Sequence, residues 1–197
     1  AVLSITNRCN LKCGHCFARA NECLDDELTA EQWRSIVDDL HSSGVMRYTF
    51  SGGEPFARPD WRDLLEYVIH KPATVRFNTN ATLITDEIAQ YLKSTGRVKG
   101  FIVSLDGPDA ATHDALRGHG AFDAAIRGIE FLKAAEFRPK GFCTITRFNA
   151  DRIEETLRFG KDLGLSCLTL TPMTASGRGR KNIERLEITI DQKRALV

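Results

Sequence analysis

No run of this 197-residue chain stays apolar for the ~18 residues that a membrane span requires, so the sequence offers no transmembrane helix. Charge of either sign is not in excess: the formal net charge is +1 and no long basic run occurs. A polyanion-binding surface is therefore disfavoured, and nucleic acid is not expected as a partner. Six cysteines, three of them within eight positions, are too few and too uneven for a disulfide scaffold. Their crowding points instead to metal ligation in a reducing compartment. No secretory leader precedes the first thiols, and a cytoplasmic home is expected. Low-complexity segments are missing as well. Ala1 opens directly on a strand pattern and Val197 falls early in an apparent helix, so the stretch is expected to be part of a longer polypeptide.

What the chain does contain is a regular alternation. Short runs rich in β-branched and aromatic residues recur at 2–6, 46–51, 75–79, 100–105, 142–146 and 166–171, and read as buried strands. Helical patterns with start and stop signals lie between them. Thr29 and Gln32 form a capping box ahead of Trp33, Ile36, Val37 and Leu40. Asp60 precedes Trp61, Leu64, Leu65 and Val68, and Thr85 precedes Ile88 and Leu92. Phe122, Ile126, Ile129 and Leu132 form a fourth stripe, Asp151 and Glu154 open a fifth, and Thr189 with Gln192 repeats the capping box. Six strand-then-helix units imply an α/β fold with a parallel sheet covered by helices. A closed barrel of eight units takes ~250 residues, so one domain over residues 1–197 with a partial (β/α)6 TIM barrel is expected. An open doubly wound sheet is the rival, but no Gly-rich dinucleotide turn follows the first strand. The stretch 174–182, TASGRGRKN, looks flexible and reads as a linker or, through Gly177–Arg180, as a substrate-binding segment.

In a parallel barrel, chemistry collects where the strands run out. Residues 6–16, TNRCNLKCGHC, follow the first strand and carry Cys9, Cys13 and Cys16. Soft thiolates select zinc or iron–sulfur chemistry over hard cations. A cubane held by three thiolates keeps one iron open to an outside ligand. The alternative is structural zinc, with Cys23 or His15 as fourth ligand. The second strand ends in Gly52, Gly53 and Glu54: two residues without Cβ, which admit a ligand closely, then a carboxylate able to accept from an ammonium. Asn78 and Asn80 end the third strand, Ser104, Asp106 and Gly107 the fourth, Thr144 and Thr146 the fifth, and Thr169 and Thr171 the sixth. Cys143 and Cys167 are expected to fill the core of the last two strands.

The thiol triplet and the Gly-Gly-Glu run, in this order and on these strand ends, resemble the radical S-adenosylmethionine superfamily. The likeness continues through Asn78, Asn80, Ser104, Asp106, His113, Asp114 and Arg117, which are similar to the SPASM/twitch subgroup that modifies ribosomally made peptides and proteins. A heme-modifying branch is also similar. The resemblance implies a [4Fe-4S] cluster on Cys9, Cys13 and Cys16, with S-adenosyl-L-methionine on the open iron. It implies that Gly52, Gly53 and Glu54 meet the amino group, Ser104 and Arg117 the carboxylate, and Asn78 and Asn80 the ribose or methionine. The backbone of Phe17 would meet adenine, with Leu170 and Thr171 completing that pocket.

The implied reaction is reductive cleavage of S-adenosylmethionine to a 5′-deoxyadenosyl radical that takes hydrogen from a substrate. A peptide or protein is the expected substrate, a tetrapyrrole or other small molecule the alternative. A low-potential donor of flavodoxin or ferredoxin type is the expected electron partner. No conventional acid or base is assigned; Asp106, His113 and Asp114 are open to either a substrate or a loop-ordering role. No cysteine follows Cys167, so the auxiliary-cluster extension of the subgroup is expected to lie outside this stretch. A zinc-stapled, non-catalytic scaffold remains the reading from a different class.

Overall fold

The computed structural model describes residues 1–22 and 27–195. Cys23, considered above as a zinc ligand, lies outside the described residues. Six strands form one sheet: β1 (Val2–Thr6), β2 (Arg47–Gly52), β3 (Thr74–Thr79), β4 (Val98–Ser104), β5 (Lys140–Ile145) and β6 (Leu168–Pro172). Their spatial order is their chain order, and every neighbouring pair is parallel. A doubly wound sheet would reverse its order at a switch point. This one never reverses, and it has two free edges, β1 and β6, so the partial barrel is the fold.

The connections run through α1 (Ala30–Ser42), α2 (Trp61–Ile69), α3 (Asp86–Ser94), α4 (Ala110–Arg117), α5 (Ala121–Ala134) and α6 (Ile153–Asp162). Three short helices follow β6: α7 (Gly177–Lys181), α8 (Ile183–Leu186) and α9 (Ile190–Ala195). The capping signals act as expected at α1, where Thr29 Oγ1 accepts from the Gln32 amide at 3.2 Å and Gln32 Oε1 accepts from the Thr29 amide at 2.8 Å. The box recurs at Thr189 and Gln192. Asp60 does not cap α2 with its side chain; its carboxylate is drawn 2.7 Å from Arg58 Nε instead. Asp151 lies in a single 3-10 turn, Ala150–Arg152, that delays α6 to Ile153.

Strand alternation sorts the sheet into two faces. Tyr48, Phe50, Val75, Phe77, Phe101 and Val103 point under the helices and are at most 2% exposed. Phe77 is the hub of this core, with ring centroids 4.9 Å from Phe56, 5.5 Å from Phe50 and 5.7 Å from Phe101. Each such aromatic stabilises the fold by about 1.5–3 kcal/mol through burial alone. Cys143, Ile145, Ala150 and Ile153 make a smaller cluster under β5. Cys143 therefore fills the core as expected, but Cys167 does not. It sits one residue before β6 and is exposed, because only its carbonyl joins the ladder, accepting from the Gly141 amide at 2.7 Å. The intervening residues of each strand face the concave side, and there the site lies. No helix among the described residues is long and apolar enough to cross a membrane.

Candidate active site

β1 releases the chain into a loop that carries the three thiols, and the loop is pinned from several sides. The Cys9 amide donates to Asn21 Oδ1 at 2.8 Å, and the Asn21 amide returns to the Asn7 carbonyl at 2.7 Å. The Gly14 amide donates to the Leu116 carbonyl at the end of α4 at 3.0 Å. From the far end of the chain, Arg178 on α7 donates through Nε to the Cys13 carbonyl at 3.0 Å and through a terminal nitrogen to the Ala20 carbonyl at 2.6 Å. Asn182 Nδ2 donates to the Gly14 carbonyl at 3.0 Å. A Cβ on Gly177 would stand 2.5 Å from the Cys16 and Phe17 carbonyl oxygens, so only glycine lets this segment close on the loop. The stretch expected to be a flexible linker is thus a strap over the thiols.

The Gly-Gly pair has a different physical reason from the one the sequence suggested. A Cβ on Gly52 would lie 2.1 Å from the Thr6 carbonyl oxygen, and one on Gly53 2.2 Å from that of Arg8. What approaches is the chain's own backbone: the Gly53 amide donates to Thr6 and the Glu54 amide to Arg8, both at 2.8 Å. The pair zips the end of β2 onto the entrance of the cysteine loop. Glu54 is fully buried, and its carboxylate accepts from Thr79 Oγ1 at 2.8 Å, the Asn80 amide at 2.7 Å and the Phe56 amide at 3.3 Å. Burial pushes its carboxyl up to about 7, against the lowering effect of those donors.

Around these ends opens a cavity of about 360 Å³. Cys9, Cys13, Cys16, Phe17, Gly52, Gly53, Asn78, Asn80, Ser104, Arg117 and Thr171 all line it. Glu54 and Leu170 do not. Glu54 is turned into the strand ends by its three donors. Leu170 lies on the helix-facing side of β6, against the cluster around Cys143, while Thr171 points the other way. Ile102 and Phe142 line the cavity and went unread in the sequence, while Thr144, read as a strand end, and His15, considered only as a zinc ligand, line it too. Ile102, Phe142 and Thr144 were legible by alternation on β4 and β5.

Asp106 is the electrostatic pivot beneath the thiols. It is fully buried, 2.7 Å from Arg117 Nε and 3.3 Å from His15 Nε2, and it accepts from the Thr144 amide at 2.8 Å. Burial raises its carboxyl, but Arg117, His15 and His113 outweigh burial and hold it below the ordinary range. Arg117 is 8% exposed and reaches Cys13 Sγ at 3.9 Å, so it is no solvated loop arginine. His113 Nδ1 accepts from the Asp106 amide at 3.2 Å, and Asp114 accepts from the Gly120 and Phe122 amides at 2.7 and 2.8 Å. All three polar residues of this motif order the loop after β4. Burial drives His15 and His113 down to about 4, pushes Cys9 up to about 11 and raises Cys13.

Among the described residues, no three His, Cys, Asp or Glu side chains are gathered for a single metal ion. The three thiols instead stand around one cavity, which suits a polynuclear cluster. Asn78 donates to Ser51 Oγ at 3.3 Å, while its buried Oδ1 has no partner among the described residues. An acceptor left open on a cavity wall fits a ligand bearing hydroxyl or ammonium donors. Asn80 is less free: its amide is taken by Asn10 at 3.0 Å, Thr82 and the Cys9 sulfur.

A family model described as the Radical SAM superfamily matches residues 3–160. The mycofactocin maturase MftC of Mycolicibacterium smegmatis is 35% identical over 193 residues, 98% of this chain and 49% of that protein. An AdoMet-dependent heme synthase of Methanosarcina barkeri is 35% identical over 182 residues, 91% of this chain and 52% of that protein. The chain thus spans about half the length of these relatives. Among solved structures, anSMEcpe with bound AdoMet superposes with a TM-score of 0.76 at 22% identity, over 88% of this chain and 50% of that one. Streptococcus suis SuiB bound to its precursor peptide SuiA gives 0.76 at 22% identity, over 88% and 39%. At that identity the two structures speak for the fold.

Proposed function

The chain belongs to the radical SAM superfamily, and from that premise we propose that it is the core of an enzyme that modifies a ribosomally made peptide or protein. Cys9, Cys13 and Cys16 would hold a [4Fe-4S] cluster, and the cavity beside them would take S-adenosyl-L-methionine. Bound together and reduced, the two groups supply a carbon radical able to take hydrogen from an unactivated position. The observation that carries this reading is the meeting on one cavity of three thiols, the buried Arg117 fork and Asn78 Oδ1, which has no partner among the described residues.

Each residue has a stated task. Arg117 offers a planar fork to the methionine carboxylate, held ready by Asp106. Ser104 stands beside it on the cavity wall, and Asn78 Oδ1 accepts from the ribose or the ammonium. Gly52 and Gly53 offer backbone to the amino group, while Glu54 supports them from behind. Phe17 and Thr171 bound the adenine side. His15, Asp106 and Arg117, each at most 8% exposed, close the wall beside Cys13 with buried polar groups. A flavodoxin- or ferredoxin-type donor would bring the electron.

The peptide substrate is supported by the relationship to MftC and by the likeness of fold to SuiB, which is seen with a precursor peptide. A tetrapyrrole is the second reading, favoured by the equal identity to the heme synthase. Anaerobic reconstitution tests the shared chemistry. About four irons per chain are expected, with 5′-deoxyadenosine formed on reduction. Cys13→Ala should lose the iron. One zinc per chain, or full iron in Cys13→Ala, would sink the proposal.

A further inference from the structure

The six strands hold four cations, Arg47, Arg76, Lys99 and Lys140, and not one Asp or Glu, in a chain whose charges otherwise balance at 27 against 26. Lys99 turns back to the Gly96 carbonyl at 2.8 Å and is set aside. The other three lie on the concave face. Arg76 precedes Asn78 by one strand period, Arg47 precedes Thr49 and Ser51, and Lys140 precedes Phe142 and Thr144. Ser51, Asn78, Phe142 and Thr144 line the cavity, so the cations share its face: Arg76 and Lys140 lie about 7 Å further down their strands, and Arg47, four residues before Ser51, about 13 Å. All three are exposed, and none makes an ion pair or side-chain hydrogen bond among the described residues.

Register brings them toward one another. Arg76 pairs with Gly100 on β4, and Lys140 pairs with Ile102 two residues further along, so β4 alone separates the two cations, about 12 Å apart at the backbone. Gly100 has φ +155° and nothing within 4 Å of where a Cβ would stand, which leaves a side-chain-free gap between them. Above the gap, Ile102 and Phe142 form an apolar step up to the cavity.

Protection of sheet edges does not explain this pattern. Charges guard a sheet at its edge strands. Here the edges β1 and β6, VLSIT and LTLTP, carry none, and the cations sit on inner strands β2, β3 and β5. Nor does stability explain it, because exposed, unpaired like charges on one face repel.

We propose that this floor is a carboxylate site: a substrate enters with its reacting carbon in the cavity, lays an apolar portion over Ile102 and Phe142, and ends in a carboxylate held by Arg76 with Lys140, while Arg47, further down β2, adds its charge from a distance. Arg76 carries the planar fork that suits a carboxylate. The inference rests on the radical reading for what occupies the cavity above. A peptide C-terminus and a small polyacid both present that carboxylate, and the arms of the test separate them.

The test uses reconstituted protein saturated with S-adenosylmethionine and two probe pairs. One pair is a dansylated peptide with a free C-terminus and its C-terminal amide. The other is coproporphyrin III and its tetramethyl ester. Fluorescence titration to 1 mM should show one acid binding at least about tenfold tighter than its neutral twin. Arg76→Gln should remove that preference, Lys140→Gln should reduce it, and iron and sulfide content should hold in both. The acid that binds names the source. Equal binding of acid and neutral twin, no acid binding at 1 mM, or an acid preference that survives in Arg76→Gln overturns the site. Deoxyadenosine formation by the unmutated protein is followed separately. Its absence together with an Arg76-dependent acid preference would remove the radical reading and leave the anion site standing.

Discussion

Glu54→Gln separates a carboxylate that binds a ligand from one that holds strand ends. In the fold Glu54 titrates near 7, pushed up by burial; its ordinary value is 4.5. Between these values the folded state binds more protons than the unfolded chain, so stability falls as pH rises through the window. The contribution is fully present below pH 4.5 and gone above pH 7. Over 2.5 pH units at about 1.4 kcal/mol each, the loss is about 3 kcal/mol. Gln cannot ionise and lacks that dependence. His15 and His113 also titrate in the range, in the opposite direction, but they are common to both proteins and cancel in the difference. Urea unfolding of the metal-free protein at pH 4.5 and pH 8 gives the quantity directly. The unmutated protein should lose about 3 kcal/mol more than the variant, or roughly 6–12 °C in Tm. Parallel pH profiles would refute the reasoning. They would mean that Glu54 sees water, and the ammonium-binding role would regain its force.

Arg117→Lys keeps the charge and gives up the fork, so the cluster should load while affinity for S-adenosylmethionine falls about tenfold by equilibrium dialysis; unchanged affinity would count against Arg117 as carboxylate ligand. Arg178→Ala strips charged donors from the Cys13 and Ala20 carbonyls, and amides 13–20 should exchange at least about tenfold faster. Exchange at the old rate would show that the strap bears no load. Gly53→Ala drives a Cβ to 2.2 Å from the Arg8 oxygen and should lower stability by about 3 kcal/mol or more. Gly44→Ala meets nothing within 4 Å and should cost only about 1–2 kcal/mol for its φ of +85°. Equal melting temperatures for the two variants would deny the close approach.

The barrel was legible because its strands are short, β-branched and punctuated by caps, and because parallel strands in chain order leave few topologies to choose from. Less legible elements lacked that signature. α4, AATHDALR, offers Leu116 as its one large apolar side chain, so no stripe announced it; it forms because Asp109 Oδ1 caps it, accepting from the Thr112 amide at 2.9 Å. α7, GRGRK, has no apolar face at all. Its stability comes from contacts with residues more than 150 positions earlier, and no local pattern reports such a partner.

The site shows the same division between composition and direction. That Cys9, Cys13, Cys16, Asn78, Ser104 and Thr171 share one cavity follows from their places at or just after strand ends, which the sequence states, while Arg117 reaches it from the end of α4. Which way a side chain turns there depends on the neighbouring strand. Leu170 and Thr171 are adjacent, and alternation alone sends one to the core and the other to the cavity. Glu54 follows two glycines that fold β2 against the loop entrance, and three donors from β3 and the next turn then capture its carboxylate. A motif read along the chain made it a ligand; the partner strand makes it a clasp. The same rule explains the cationic floor. Single cations on β2, β3 and β5 look incidental in order of sequence, and only the parallel register puts Arg47, Arg76 and Lys140 on one face, with no acid in any of the six strands.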